Sequence, residues 1–196
     1  MKNVMFGLLA SVVLSSVPAT ANAAELVTNG GFETGDFTGW SQFGSTNNSG
    51  VDPLAAFSGN FGAFFGAVGS TGGITQTLNT VIGQTYTISL YAQIDQGTPN
   101  YGIITFGGQT LDSTTNSAGF DYRQLTYSAV ATSALTALTF EFRHDPAFFQ
   151  IDDISVTGLS GAVPEPATWA MMILGMGAVG GAMRRKQAVK ASVRFA

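Results

Sequence analysis

The chain contains no cysteine. No disulfide can staple it, so a folded state outside the cell must rest on packing, hydrogen bonds or a bound metal. Charge is scarce too: charged residues make up 10% of the 196, and His144 is the single histidine. There is no lysine between Lys2 and Lys186. A phosphate-cradling loop that closes on Gly-Lys is therefore excluded from the middle of the chain. So is a nucleic-acid surface, which needs clustered Lys and Arg to displace counterions. Helical periodicity is missing from residues 24–162, and there is no serine elbow or thiol for His144 to activate. The FRHDP run around His144 reads as a turn between two strands.

What is present is an apolar fraction of 45% with 25 glycines, which suits one packed, loop-rich domain plus accessory segments. Residues 24–161 carry eleven acids against Arg123 and Arg143, a balance of −9. Arg184, Arg185, Lys186, Lys190 and Arg194 crowd the last thirteen residues with no acid among them. Charge segregated in this way points to a membrane.

Both ends read as addresses. Residues 1–23 have Lys2, an apolar stretch from Val4 to Val17 and an Ala21-x-Ala23 ending, the layout of a secretory signal peptide that signal peptidase would cut between Ala23 and Ala24. Near the other end, residues 167–183 are seventeen uncharged residues, at the short limit for a membrane-spanning helix. The basic run after them would stay cytoplasmic, with residues 24–161 on the outer side. Residues 187–196 then form a basic tail.

The run VPEPATWAMMILGMGAVGGAMRRK resembles a PEP-CTERM sorting signal of the PEPxxWA type, a tag also known as an ice-binding protein C-terminal domain. The residues that carry the resemblance are Pro164, Glu165 and Pro166, then Trp169 with Ala170, the apolar span, and Arg184 with Arg185. It places the signal at 162–186 and implies recognition by an exosortase in the inner membrane of a Gram-negative bacterium. Cleavage near the PEP residues and passage to the cell surface or the extracellular matrix would follow. The tail beyond the basic cluster departs from the family's usual ending. Pro164 and Pro166 keep the backbone extended, as a protease substrate must be.

Between the addresses the hydrophobic period is two. Gln84–Ile94 places Tyr86, Ile88, Leu90, Ala92 and Ile94 on one face. Residues 73–78, 102–106, 124–131, 136–143 and 148–157 read the same way, with 44–50 and 112–119 as loops. About eight such strands predict an all-β sandwich. The opening LVTNGGFETGDFTGW and the closing FFQIDDISVTG resemble the galactose-binding-like jelly roll of many carbohydrate-binding modules. That resemblance implies a structural calcium held by Glu33 with Asp152 or Asp153. Hard oxygen ligands suit calcium. Strict alternation puts Asp152 on the inner face with Ile154 and Val156.

No spacing selects a catalytic pair among the carboxylates. The better candidates for stacking on a neutral polysaccharide are the loop aromatics Phe57, Tyr101 and Tyr122. No flat, regular threonine array suits ice. The sequence thus predicts an exported, exosortase-sorted, noncatalytic surface or exopolysaccharide-matrix protein with glycan affinity. The alternative is a secreted glycoside hydrolase of the same architecture.

Overall fold

The computed structural model describes residues 23–158 and 166–185. Most of the expected signal peptide, Pro164, Glu165 and the tail from residue 186 lie outside the described residues. Asn22–Ser160 is one compact unit; the C-terminal helix belongs to another.

Eleven strands build the first unit: β1 (Ala24–Glu25), β2 (Ser41–Gly44), β3 (Ser49–Asp52), β4 (Gly62–Phe65), β5 (Gly72–Asn79), β6 (Thr85–Ile94), β7 (Asn100–Phe106), β8 (Gln109–Thr115), β9 (Phe120–Val130), β10 (Leu135–His144) and β11 (Phe149–Gly158). They form two antiparallel sheets. The first runs β3-β4-β11-β6-β9, with β1 added beside β11, and the second runs β2-β5-β10-β7-β8. This is the sandwich that the alternation predicts, in the jelly-roll form that the resemblance implies.

The inward rows are the apolar rows of the sequence. Ile88, Leu90, Ile151 and Val156 of the first sheet face Ile74, Leu78, Leu138 and Phe140 of the second, all essentially without exposure. Removing such side chains from water is the main favourable term in the fold, about 2 kcal/mol each. The segment between β1 and β2 fills one side of the sandwich: Phe32 and Phe140 flank Trp40 at 6.1 and 5.9 Å, and Phe37 lies 5.9 Å from Phe65. Trp40 Nε1 donates to the Asn29 carbonyl at 3.1 Å, so its polar edge is satisfied inside the plug.

Three expectations are corrected. Residues 112–115 belong to β8 rather than to a loop, and the loop expected at 44–50 shrinks to 45–48. As an edge strand rich in Ser and Thr, β8 shows no alternation to read. His144 ends β10 fully buried, with Nε2 2.9 Å from the Asp95 carbonyl, rather than lying in a turn. Asp152 pairs with Tyr91 on the outer face of the first sheet, because β11 slips register between Asp152 and Ser155. The extra residue is Asp153, whose φ of 49° bends the strand and returns Ile154 to the core.

In the C-terminal unit, helix α1 spans Pro166–Arg185. A spanning helix was expected here, but among the described residues no helix is long and apolar enough to cross a membrane. Glycines at 175, 177, 180 and 181 dilute its apolar surface, and Arg184 and Arg185 close it. Met171, Ile173, Leu174 and Val179 are more than half exposed.

Candidate functional site

The two outer faces of the sandwich divide the residues singled out in the sequence. On the first sheet, the turn containing Pro53–Ala55 and the loop to residue 61 fold back over β6, β9 and β11. Phe57 stacks flat on Tyr91 with ring centroids 3.6 Å apart, and Tyr122 lies 5.4 Å from Phe57. The Tyr122 hydroxyl donates to the Ala55 carbonyl at 2.5 Å. Burial, and then the charges of Asp152, Asp95 and Asp153, push that phenol up. Phe57 and Tyr122 are therefore brought together, but each has a task in holding the loop.

The expected metal ligands hold the same loop. Asp152, fully buried under it, accepts from Phe57 N at 2.8 Å and Ser58 N at 3.1 Å with one oxygen, and from Asp153 N at 2.7 Å with the other. Burial outweighs these bonds and raises its carboxyl above the ordinary value. Glu33 Oε1 accepts from Asn60 N at 2.8 Å and Phe61 N at 3.0 Å, while Oε2 accepts from Asn60 N at 3.1 Å and Asn60 Nδ2 at 3.0 Å. Those donors hold its carboxyl below the usual range, the Asn60 N–H most of all. Asp153 accepts from Ser58 Oγ at 3.1 Å. The Asp153 and Asp152 carboxylates both approach Gly31, where an added Cβ would lie 3.3 and 3.8 Å from their nearer oxygens and 3.9 Å from the Glu33 Cγ.

A carboxylate has about four lone-pair positions. Three donors engage each of Glu33 and Asp152, the Asn60 N–H being shared between both Glu33 oxygens, so a calcium seeking six to eight oxygens would have to compete with the loop's own N–H groups. Among the described residues no group of three or more His, Asp or Glu is arranged to hold a metal ion. The arrangement does not fit the calcium reading, and no step is derived through a metal.

Tyr101 lies apart, on the outer face of the second sheet. Strand pairing sets two rows there. One row runs Phe43, Gly73, Glu141, Ile103 and Ser113 across all five strands, and the next places Arg143, Tyr101 and Thr115 side by side. Phe43, Tyr101, Glu141 and Arg143 are half-exposed. With strands about 4.8 Å apart, Phe43 and Tyr101 stand three strands, or about 14 Å, apart across the face. Arg143 is fixed by a two-pronged pair with Asp145, Nε to Oδ1 and Nη2 to Oδ2, each at 2.7 Å. That pair, with the Gly69 N–H, holds the Asp145 carboxyl at about 2. Tyr101 and Glu141 make no hydrogen bond through their side chains to other described residues, so both are free for a ligand. Phe43, Glu141 and Arg143 were missed in the sequence. Only the strand order shows that they share a face with Tyr101.

The family comparison bears on the other unit. Residues 162–186 match a model described as the PEP-CTERM protein-sorting motif. The chain carries a PEP-CTERM sorting signal. The PEP-CTERM match takes in Pro164, Glu165, Pro166, Trp169, Arg184 and Arg185, the residues on which the resemblance rests. None of the curated proteins compared with the chain matches it. Among solved structures the sandwich is similar to TmCBM61, solved with beta-1,4-galactotriose, at a TM-score of 0.56 and 14% identity over 68% of this chain and 97% of that one. The CBM22-1 xylan-binding domain of Paenibacillus barcinonensis Xyn10C gives 0.50 and 15% over 74% and 100%. The K3 adhesin domain of Lys-gingipain from Porphyromonas gingivalis w83 gives 0.55 and 14% over 69% and 99%. At such identities the likeness is one of fold.

Proposed function

We propose that this PEP-CTERM protein is exported, sorted by an exosortase and displayed at the cell surface, where its sandwich binds a neutral polysaccharide without chemical conversion. The observation that carries the reading is the outer face of the second sheet. It presents two aromatic side chains three strands apart and one row offset, with an unpaired carboxylate and a fixed guanidinium on the strand between them. Rings stack on the apolar faces of sugars, while Glu141 and Arg143 meet hydroxyls. The fold shared with a xylan-binding module and a galactotriose complex supports this reading. The domain's balance of −9 repels polyanions, which favours neutral glycans.

Affinity electrophoresis of the full-length chain in gels containing galactan or xylan tests the proposal. Few contacts and lost side-chain freedom set Kd on the order of 0.01 to 1 mM. Tyr101→Ala should weaken retardation about tenfold, whereas Phe57→Ala should leave Kd unchanged in protein that remains folded. Unretarded migration in every neutral gel would refute binding. Mass spectrometry of secreted protein tests the sorting: termini at Ala24 and near Pro164–Pro166 are expected, and recovery of residues through Ala196 would count against it.

A further inference from the structure

The two sides of the sandwich are finished differently. Phe32, Phe37 and Trp40 plug the side bounded by β2 and β3. Opposite, between the edge strands β8 and β9, a slot of about 150 Å3 runs into the core. Its walls are apolar, Leu90, Ile104, Leu125, Phe142, Phe149 and Ile151 among them. Apolar walls of this kind favour an apolar guest, whose burial there removes apolar surface from water.

The mouth is polar and asymmetric. Register places Asp112 opposite Ile104 and Arg123 opposite Ala92, so both charged residues stand in the inward-facing rows of their edge strands. The Tyr127 hydroxyl donates to Asp112 Oδ2 at 2.6 Å, tying one edge to the other and occupying that carboxylate. The Arg123 guanidinium lies over the Phe120 ring, 3.7 Å from its centroid. No carboxylate among the described residues pairs with it. Ser113, Thr114 and Ser117 complete the rim.

We propose that this slot binds a single-chain carboxylate amphiphile, with the aliphatic chain among Leu90, Ile104 and Leu125 and the carboxylate on Arg123. The apolar walls select the chain, and the unpaired cation at the mouth selects the head. The slot lies between the sheets, apart from the outer face carrying Tyr101, and the proposal does not depend on glycan binding there.

Methyl-resolved NMR of the full-length chain titrated with decanoate tests this. Saturable shifts at the methyls of Leu90, Ile104 and Leu125 are expected. Arg123→Gln should weaken decanoate about tenfold, the loss of one charge-assisted contact, and leave decanol binding unchanged. Leu125→Trp, which fills the mouth, should abolish the shifts for both compounds. Arg123→Gln and Leu125→Trp flank the slot from an edge strand, and an unaltered amide spectrum establishes that each has folded. Shifts confined to Leu174 and Val179 of α1 would overturn the proposal by assigning the binding to that exposed apolar helix. Undiminished decanoate affinity in Arg123→Gln would overturn it as well, leaving Arg123 as an inward charge that protects a sheet edge from pairing.

Discussion

Replacing Asp152 offers the sharpest test of how the outer face of the first sheet is held. Its carboxylate is fully buried and accepts three backbone N–H bonds, from Phe57, Ser58 and Asp153. Asp152→Ala removes the acceptor from all three. Each donor left without a partner in a buried place costs about 1–3 kcal/mol, and water reaches part of the exposed 57–60 loop to replace some of the loss. A net destabilisation of about 3 kcal/mol is expected at pH 7, equivalent to roughly 10 °C in Tm for a domain of this size.

The pH dependence supplies an independent check. Because burial raises the Asp152 carboxyl in the folded state, its ionisation favours the unfolded chain. Its contribution to stability is fully present below the ordinary carboxylate range, declines as pH rises through that range to the raised value, and is constant beyond it. Asp152→Asn keeps the shape without the titration, so its deficit relative to wild type should be larger at pH 3.5 than at pH 7. Urea unfolding followed by tryptophan fluorescence at both pH values reads both quantities. Equal midpoints for wild type and Asp152→Ala at pH 7 would show that the N–H groups need no carboxylate. A deficit that grows as pH rises would show that the donors outweigh burial.

Glu33 and Asp152 spend their lone pairs on N–H groups, so chelators should leave Tm unchanged; a drop of several degrees in calorimetry with EDTA, reversed by calcium, would restore the metal reading. Asp145, held at about 2 by Arg143 and the Gly69 N–H, stabilises the fold above the ordinary carboxylate range, and that contribution is lost as pH falls towards 2. Asp145→Asn should therefore flatten the acid limb of stability against pH, and an unchanged limb in urea titrations would refute the assignment. Gly30→Ala would place a Cβ 2.0 Å from the Ile154 carbonyl oxygen, where Ile154 N already donates to Gly30 O. Moving either the turn at Gly30 or β11 should cost about 3 kcal/mol, and an unaltered denaturant midpoint would show that the bulge yields freely.

The fold was largely legible because β6 and β10 bury every second residue, and their alternation can be read without knowing their neighbours. The limits appear where geometry departs from period two. Asp152 was assigned to the wrong face because Asp153 adds one residue to β11, and a bulge leaves no mark in composition. β8 was invisible because Asp112, Ser113, Thr114 and Thr115 are polar on both faces, as an edge strand permits. Among the three aromatics singled out, Phe57 and Tyr122 are committed to Tyr91 and to the Ala55 carbonyl, and only Tyr101 is open. Proximity between strands far apart in the chain decided that, as it decided the grouping with Phe43 and Glu141. The slot at Arg123 escaped notice for the same reason: its lining comes from six strands.

The ladder between β1 and β11 carries a consequence for timing. Ala24 pairs with Gly158 and Glu25 with Thr157, and the Glu25 carboxylate continues the join by accepting from Val156 N at 2.9 Å. The first strand thus has its partner at the very end of the domain. Closing so long a loop carries the greatest entropic cost of any pairing in the sheet. Ala24, the first residue of that ladder, is therefore joined to the sheet only once the last strand of the domain is in place.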